Sequence, residues 1–166
     1  MIRLPRPTRR ERPPADVAPG ERVLAWCRAA DGEVLAGTRD ALHLPEVRIP
    51  WEEVQAAEWD SDDDLLVVSE VGTWGEERPV HSFSIDDPGR LLELVRERVT
   101  ASVVLQRHVP LDRRRGLRVV ARRAPHGNGP IRWIHEYDEG VDPDDPEVRA
   151  AARDALELAQ RDVGLP

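Results

Sequence analysis

Short apolar runs separated by turn residues fill the first half of the chain. Several runs alternate apolar with polar positions, as expected for a strand with one buried face, and most are bounded by glycine, proline or aspartate. Tight turns such as Asp31-Gly32 favour antiparallel hairpins between neighbouring runs. The pattern predicts strands over residues 22–28, 33–38, 41–45, 47–49, 54–59, 65–70 and 78–85.

The stretch from Arg48 to Trp59 contains the clearest corner in this series. Val47 and Ile49 alternate with polar neighbours, and Pro50 then lacks the backbone donor that a continuing strand would need. We therefore expect the strand to end at Pro50. The large ring of Trp51 is expected to plug one end of the core, while the two glutamates that follow it face water.

Two later segments have helical spacing instead. Asp86-Asp87-Pro88 is a typical helix start, with a carboxylate cap and proline at the first helical position, and Leu91, Leu92, Val95 and Val99 then share one face. A second helix is predicted from Asp145-Pro146 to Gly164.

Between the two predicted helices, apolar runs predict three further strands over residues 102–109, 117–123 and 131–137. These strands either form a separate small sheet or extend the sheet of the first half. The apolar stripe of the second helix is expected to pack against them.

An isoleucine-proline-aromatic step followed by acids, then a short strand ending in tryptophan, more strands and an amphipathic helix, resembles the bacterial pleckstrin-homology-like domains. The resemblance covers about Pro19 to Val104. It implies an α+β chain: a small, mostly antiparallel barrel over residues 20–104 with a capping helix. An arm over residues 1–19, disordered or loosely draped, would precede it, and an α+β extension over residues 105–166 would follow.

Lipid binding is not carried over from this resemblance. The first hairpin, Ala29-Ala30-Asp31-Gly32, is short and acidic where lipid-binding members carry basic residues that hold phosphate. We therefore expect no phosphoinositide binding.

Composition indicates a soluble protein of a reducing compartment. Cys27 is the only cysteine, which excludes an intramolecular disulfide. The first twelve residues lack the apolar core of a signal peptide, and no run approaches the ~20 apolar residues of a membrane span. A cytoplasmic location without membrane insertion is expected.

Charge is segregated along the chain although the net charge is only −8. Residues 1–14 carry +4 and residues 107–123 carry +6, whereas residues 15–106 carry −12 and residues 124–166 carry −6. Contact between the basic and acidic segments, within one chain or between chains, is the favoured interpretation.

The basic segment supplies the first candidate binding residues. Arg113, Arg114 and Arg115 occupy a predicted loop tip, and Arg118 and Arg122 share one strand parity, so these two could face a phosphate backbone together. Nucleic-acid binding is therefore an alternative, although this stripe has no interleaved aromatic residues for base stacking.

Histidines supply the second set of candidates. His126 lies in a loop rich in glycine and could act as a base or ligand, and with His135 it could form a small-molecule or hydrolytic site between barrel and extension. His43 is expected at the surface or rim of a strand. Without ligand spacing or a catalytic motif, we expect no metal site, no cofactor and no catalytic residue.

The function that these observations favour is a non-enzymatic protein-interaction or self-association module. Nucleic-acid binding and the histidine site are the alternatives. The nature of the partner, protein or second copy, stays open at this point.

Overall fold

The computed structural model describes residues 15, 17–72 and 77–164. Most of the predicted arm, residues 73–76 and the last two residues lie outside them. The described chain is α+β, with three antiparallel sheets and two helices. The strands are β1 (Ala25–Arg28), β2 (Val34–Gly37), β3 (Ala41–His43), β4 (Arg48–Pro50), β5 (Val54–Asp60), β6 (Leu65–Glu70), β7 (Val80–Ser84), β8 (Val103–Pro110), β9 (Gly116–Arg122) and β10 (Arg132–Tyr137), and the helices are α1 (Gly89–Ser102) and α2 (Pro146–Asp162).

The first sheet has the order β1-β2-β3-β4, so each strand pairs with its neighbour in sequence. Helix α1 packs closely on this sheet at Gly37, where an added Cβ would lie 2.6 Å from a methyl carbon of Leu94. Glycine at this position allows the close approach of helix and sheet. The shared core contains Leu35, Leu42, Ile49 and Leu91.

The corner after β4 forms at the predicted position, but Glu52 and Glu53 are half-buried where the sequence predicts that they face water. β4 ends at Pro50, residues Trp51–Glu53 make one turn of 3-10 helix, and β5 follows directly. Trp51 is fully buried, and its indole Nε1 donates a hydrogen bond to the carbonyl oxygen of Thr38 at 3.1 Å. The core-plug prediction for Trp51 is therefore confirmed.

The predicted barrel does not close. β5, β6 and β7 form a second sheet of their own, and among the described residues no strand ladder joins it to the first sheet. The two sheets meet at one corner, where the backbone N–H of Ala30 donates to the carbonyl of Ser84 at 2.8 Å. Pro50 and the turn at Trp51 separate β4 from β5, which explains why pairing stops there.

Helix α1 begins one residue later than predicted. Pro88 takes the N-cap position, and the helix starts at Gly89. The carboxylate prediction survives in a modified form, because Asp87 Oδ1 accepts a hydrogen bond from the N–H of Gly89 at 2.8 Å. The buried face contains Leu91, Leu92, Leu94 and Val95.

The C-terminal part forms the separate small sheet, which decides between the two predicted arrangements. β8 follows α1 without a loop, and the sheet order is β10-β9-β8. Helix α2 covers one face of this sheet, with its buried alanines packed against Leu117 and Val119. Asp145 caps the helix by accepting from the N–H of Glu147 at 2.7 Å.

The prediction for His43 is wrong, because this side chain is buried. Its Nε2 lies 2.6 Å from Oε2 of Glu21, whose carboxylate also accepts from Thr38 and from Arg48. Glu21 precedes β1 by four residues. All three residues of β3 are buried. The hydrogen bond to Glu21 offsets the cost of burying the polar imidazole ring of His43 among them.

Candidate functional site

The arginine loop between β8 and β9 is partly neutralised by its own acid. Asp112 Oδ2 accepts from Arg115 Nη2 at 2.7 Å, and Arg115 Nη1 donates to the carbonyl of Gly140 at 2.6 Å. Contacts from Arg114 and Arg115 also hold the pKa of Asp112 below its usual value. Arg113 and Arg114 are exposed at the loop tip, as predicted.

The remaining exposed arginines of β8 and β9 have acidic partners. Arg118 lies 3.8 Å from the carboxylate of Glu136 in β10 and 3.6 Å from that of Asp138, just after β10. Arg107 forms an ion pair with Asp162 at the end of α2. The basic segment thus meets acids of the same chain, as the charge segregation predicts.

Arg122 does not form a common exposed surface with Arg118, although both have the same strand parity. Arg122 is buried, with only 5% of its surface exposed. Its Nη1 donates to the carbonyl of Val54 at 2.8 Å and to Oγ of Ser102 at 3.2 Å. Burial lowers the pKa of this guanidinium. Arg122 therefore joins β9 to the start of β5 and is not available to a phosphate backbone.

One ring nitrogen of His126 accepts a hydrogen bond from a neighbouring arginine. Nη1 of Arg98 in α1 contacts Nε2 of His126, and because a guanidinium can only donate, this ring nitrogen is the acceptor. Burial and the positive charge of Arg98 lower the pKa of His126. No hydrogen bond or ion pair joins His126 to His135 within the described residues, so the structure does not bring the two histidines together as one site.

β10 is an edge strand of the C-terminal sheet, and among the described residues no strand pairs with its outer side. Asp138 N donates to the carbonyl of Gly116 at 3.0 Å, directly beyond the Tyr137–Leu117 pair. Hydrogen-bonded and non-bonded pairs alternate along an antiparallel ladder. The backbone groups of Glu136 therefore face β9, whereas those of His135 face away from it, along the free edge.

A cavity of about 630 Å³ runs beside this edge. Its lining includes Trp133 and His135 of β10, with Val71, Gly72 and Arg78 from the connection between β6 and β7. The cavity thus forms a groove between β10 and the connection that joins β6 to β7. Groove and edge therefore lie side by side along β10.

A second cavity, of about 440 Å³, lies between β10 and α2. His135, Tyr137 and Pro143 line both cavities, so the two are neighbours around the end of β10. Nε2 of His135 is buried and has no hydrogen-bond partner among the described residues. A buried polar atom without a partner is unusual in a folded protein, and Nε of Arg122 in β9 is a second such atom of this sheet.

Comparisons of the chain with models of known protein families, with curated proteins and with solved structures found no match in any of the three. Within the described residues, neither helix has the length and apolar character of a membrane span. The same residues contain no cluster of three or more histidine, cysteine or acidic side chains suited to a metal ion.

Sequence reasoning named His135 but missed the residues that surround it. Trp133 and Tyr137 lie in a run that predicts a strand, yet nothing in that run shows that β10 is an edge. Arg149 and Arg153 of α2 also line the second cavity. Their spacing of four residues was the one sequence pattern that could have indicated a shared site, because it places both arginines on one side of a helix.

Proposed function

We propose that this chain is a protein-interaction module that binds an extended segment of a partner protein along the free edge of β10. The partner segment would add a fourth strand to the sheet β10-β9-β8, and its backbone would pair with outward-facing groups of β10. Binding of this kind needs no catalytic group. The observation that carries the proposal is the groove beside an unpaired strand edge.

The properties of the groove support strand addition over capture of a small molecule. It runs along several consecutive residues of β10 rather than around one point, and its lining mixes apolar and charged side chains. Main-chain hydrogen bonds supply affinity in this mode, while side-chain pockets on either side supply specificity. Soluble proteins usually protect a free strand edge, so an accessible one suggests a use.

We also propose that residues 20–104 form a unit of the pleckstrin-homology-like kind. A four-stranded sheet, a three-stranded sheet and a following helix occur in the expected order, and the hydrogen bond between Ala30 and Ser84 holds the sheets at one corner. In this proposal the unit serves as a scaffold that supplies one wall of the groove, through Val71 and Gly72.

A proline substitution tests the backbone pairing directly. His135→Pro removes an N–H that faces the free edge and leaves the hydrogen bonds to β9 in place, which is where strands tolerate proline. His108→Pro is the matched control at the opposite edge of the sheet. The N–H of Leu111 donates to the carbonyl of Arg115, and hydrogen-bonded pairs alternate with non-bonded pairs along the β8–β9 ladder. The N–H of His108 therefore faces away from β9.

The assay selects displayed random twelve-residue peptides on the purified wild-type chain. Synthetic versions are then tested on both variants, with circular dichroism as a check of folding. We expect binding to be lost in His135→Pro and kept in His108→Pro, and to be lost when alternate peptide nitrogens are methylated. Peptides that bind His135→Pro as well as wild type, or a selection that gives no binders, would refute the proposal.

A second copy of the chain is the other possible donor of the added strand. Light scattering at low and at high salt distinguishes the two cases. A wild-type dimer that becomes monomeric in His135→Pro, but not in His108→Pro, identifies self-association through β10. A monomer under all conditions leaves a different protein as the partner.

A further inference from the structure

The side of the second cavity that α2 forms is basic, in contrast to its surroundings. Arg149 and Arg153 are exposed, line the second cavity, and form no ion pair within the described residues. Arg161, further along the same helix, is paired with Glu157 at 3.8 Å. Two arginines without acidic partners are notable because residues 124–166 carry a net charge of −6.

These two arginines lie where side chains of an added strand would point. Residues four apart lie on one side of a helix, so both guanidinium groups reach the same cavity. Ala152 and Leu156 provide apolar surface beside them, and His135 and Tyr137 of β10 form the opposite wall. A strand paired with β10 would direct every second side chain towards α2. That side chain would meet apolar surface with two positive groups at its rim.

We propose that the partner segment is acidic, and that a carboxylate of this segment binds between Arg149 and Arg153. Charge complementarity carries this inference, and it rests on the proposed addition of a strand to β10. A carboxylate accepts hydrogen bonds from guanidinium groups in a well-defined geometry, which gives the site specificity as well as attraction. Asp144, on the same cavity, is the one acid that lines it, so the cavity keeps a net positive lining.

The test uses three displayed libraries of nine-residue peptides with random flanks and a fixed glutamate, glutamine or lysine at the fifth position. Binders are counted only if His135→Pro removes them and His108→Pro does not. On the wild-type chain we expect glutamate peptides to be enriched about two- to fivefold over glutamine peptides, as for a partly exposed ion pair. Lysine peptides should be depleted.

A double charge reversal identifies the groups responsible. Arg149→Glu with Arg153→Glu should abolish the preference for glutamate and favour lysine. The matched control is Arg90→Glu with Arg96→Glu, which makes the same change in net charge on exposed positions of α1 and should leave the preference intact.

The outcomes separate this inference from the function on which it rests. If peptides bind in a manner sensitive to His135→Pro but glutamate and glutamine are selected equally, strand addition stands and the acidic partner is wrong. If no such peptides appear, the proposed function itself fails. A labelled twelve-nucleotide single strand of DNA that binds through Arg149 and Arg153, with no peptide preference, would overturn the inference in favour of nucleic acid.

Discussion

The buried guanidinium of Arg122 offers the sharpest test of how the C-terminal sheet is attached to the rest of the chain. We consider the substitution Arg122→Met, which keeps an unbranched side chain of similar reach and removes all donors. Wild-type Arg122 donates to Val54 O at 2.8 Å, to Ser102 Oγ at 3.2 Å and to Gln55 O at 3.5 Å. Methionine would remove the guanidinium donor from the buried carbonyl of Val54, whereas Ser102 Oγ would keep its hydrogen bond to Val99 O.

The expected magnitude follows from two opposing effects. A hydrogen bond from a charged donor contributes about 1.5–3 kcal/mol, and a buried acceptor left unpaired costs about 1–3 kcal/mol. Against this, burial disfavours the charged guanidinium, as its lowered pKa indicates, and methionine removes that cost. We expect Arg122→Met to lower the free energy of unfolding by about 2–3 kcal/mol, a large effect among single substitutions.

Urea denaturation at neutral pH measures this change. Arg113→Met is the matched control, because Arg113 is exposed at a loop tip and should change the free energy of unfolding by less than about 0.5 kcal/mol. If Arg122→Met is as stable as Arg113→Met, the hydrogen bonds of Arg122 do not hold β9 to β5, and the reasoning is refuted.

Three further predictions follow from buried groups of the first sheet. Burial alone would raise the pKa of Glu21, but hydrogen bonds from Arg48 and two other donors outweigh it and lower the pKa below its usual value. The stabilisation by Glu21 is therefore complete above that value and lost as pH falls through the lowered pKa. Unfolding curves from pH 6 to pH 3 should show that the difference in free energy of unfolding between wild type and Glu21→Gln becomes smaller. A constant difference would contradict this. Gly37→Ala should lower the free energy of unfolding by about 1–3 kcal/mol through overpacking against α1, whereas an unchanged urea midpoint would show that the helix moves aside freely. Burial, with a smaller effect of Asp87, raises the pKa of the Cys27 thiol to about 11. A disulfide reagent at pH 8 should therefore modify Cys27 slowly until urea is added. Fast modification of the native chain would refute the burial of this thiol.

Much of the element order could be predicted because it depends on local patterns. Alternating apolar positions located the strands, and the apolar stripe of α2 indicated its packing on the C-terminal sheet. Pro50 and Trp51 were predictable for the same reason, since a missing donor and a large apolar ring constrain the chain wherever they occur.

The environment of individual polar residues was not predictable in this way. Arg118 and Arg122 have the same parity, yet Arg118 meets acids at the surface and Arg122 meets backbone carbonyls in the interior. His43 is buried because Glu21 reaches it from 22 residues away in sequence. In both cases the partner comes from another element, and a pattern along one strand contains no information about it.

The groove could not be predicted because it depends on the order of strands. Sequence spacing shows that β8, β9 and β10 exist, but not that β9 is central and β10 has a free edge. The same limit applies to the barrel, because closure depends on whether strands distant in sequence pair. Candidate residues beside the groove, such as Trp133, are noticed only when that order is known.

The sheet order also has a consequence for how the chain folds. Within all three sheets every strand pairs with the strand next to it in sequence, so each ladder can form from local hairpins with little loss of chain entropy. Contacts that join the sheets, such as Ala30 with Ser84 and Arg122 with Val54, close much longer loops. We expect these contacts to form after the rate-limiting step. Arg122→Met should then mainly accelerate unfolding and leave the folding rate nearly unchanged, as stopped-flow kinetics would show.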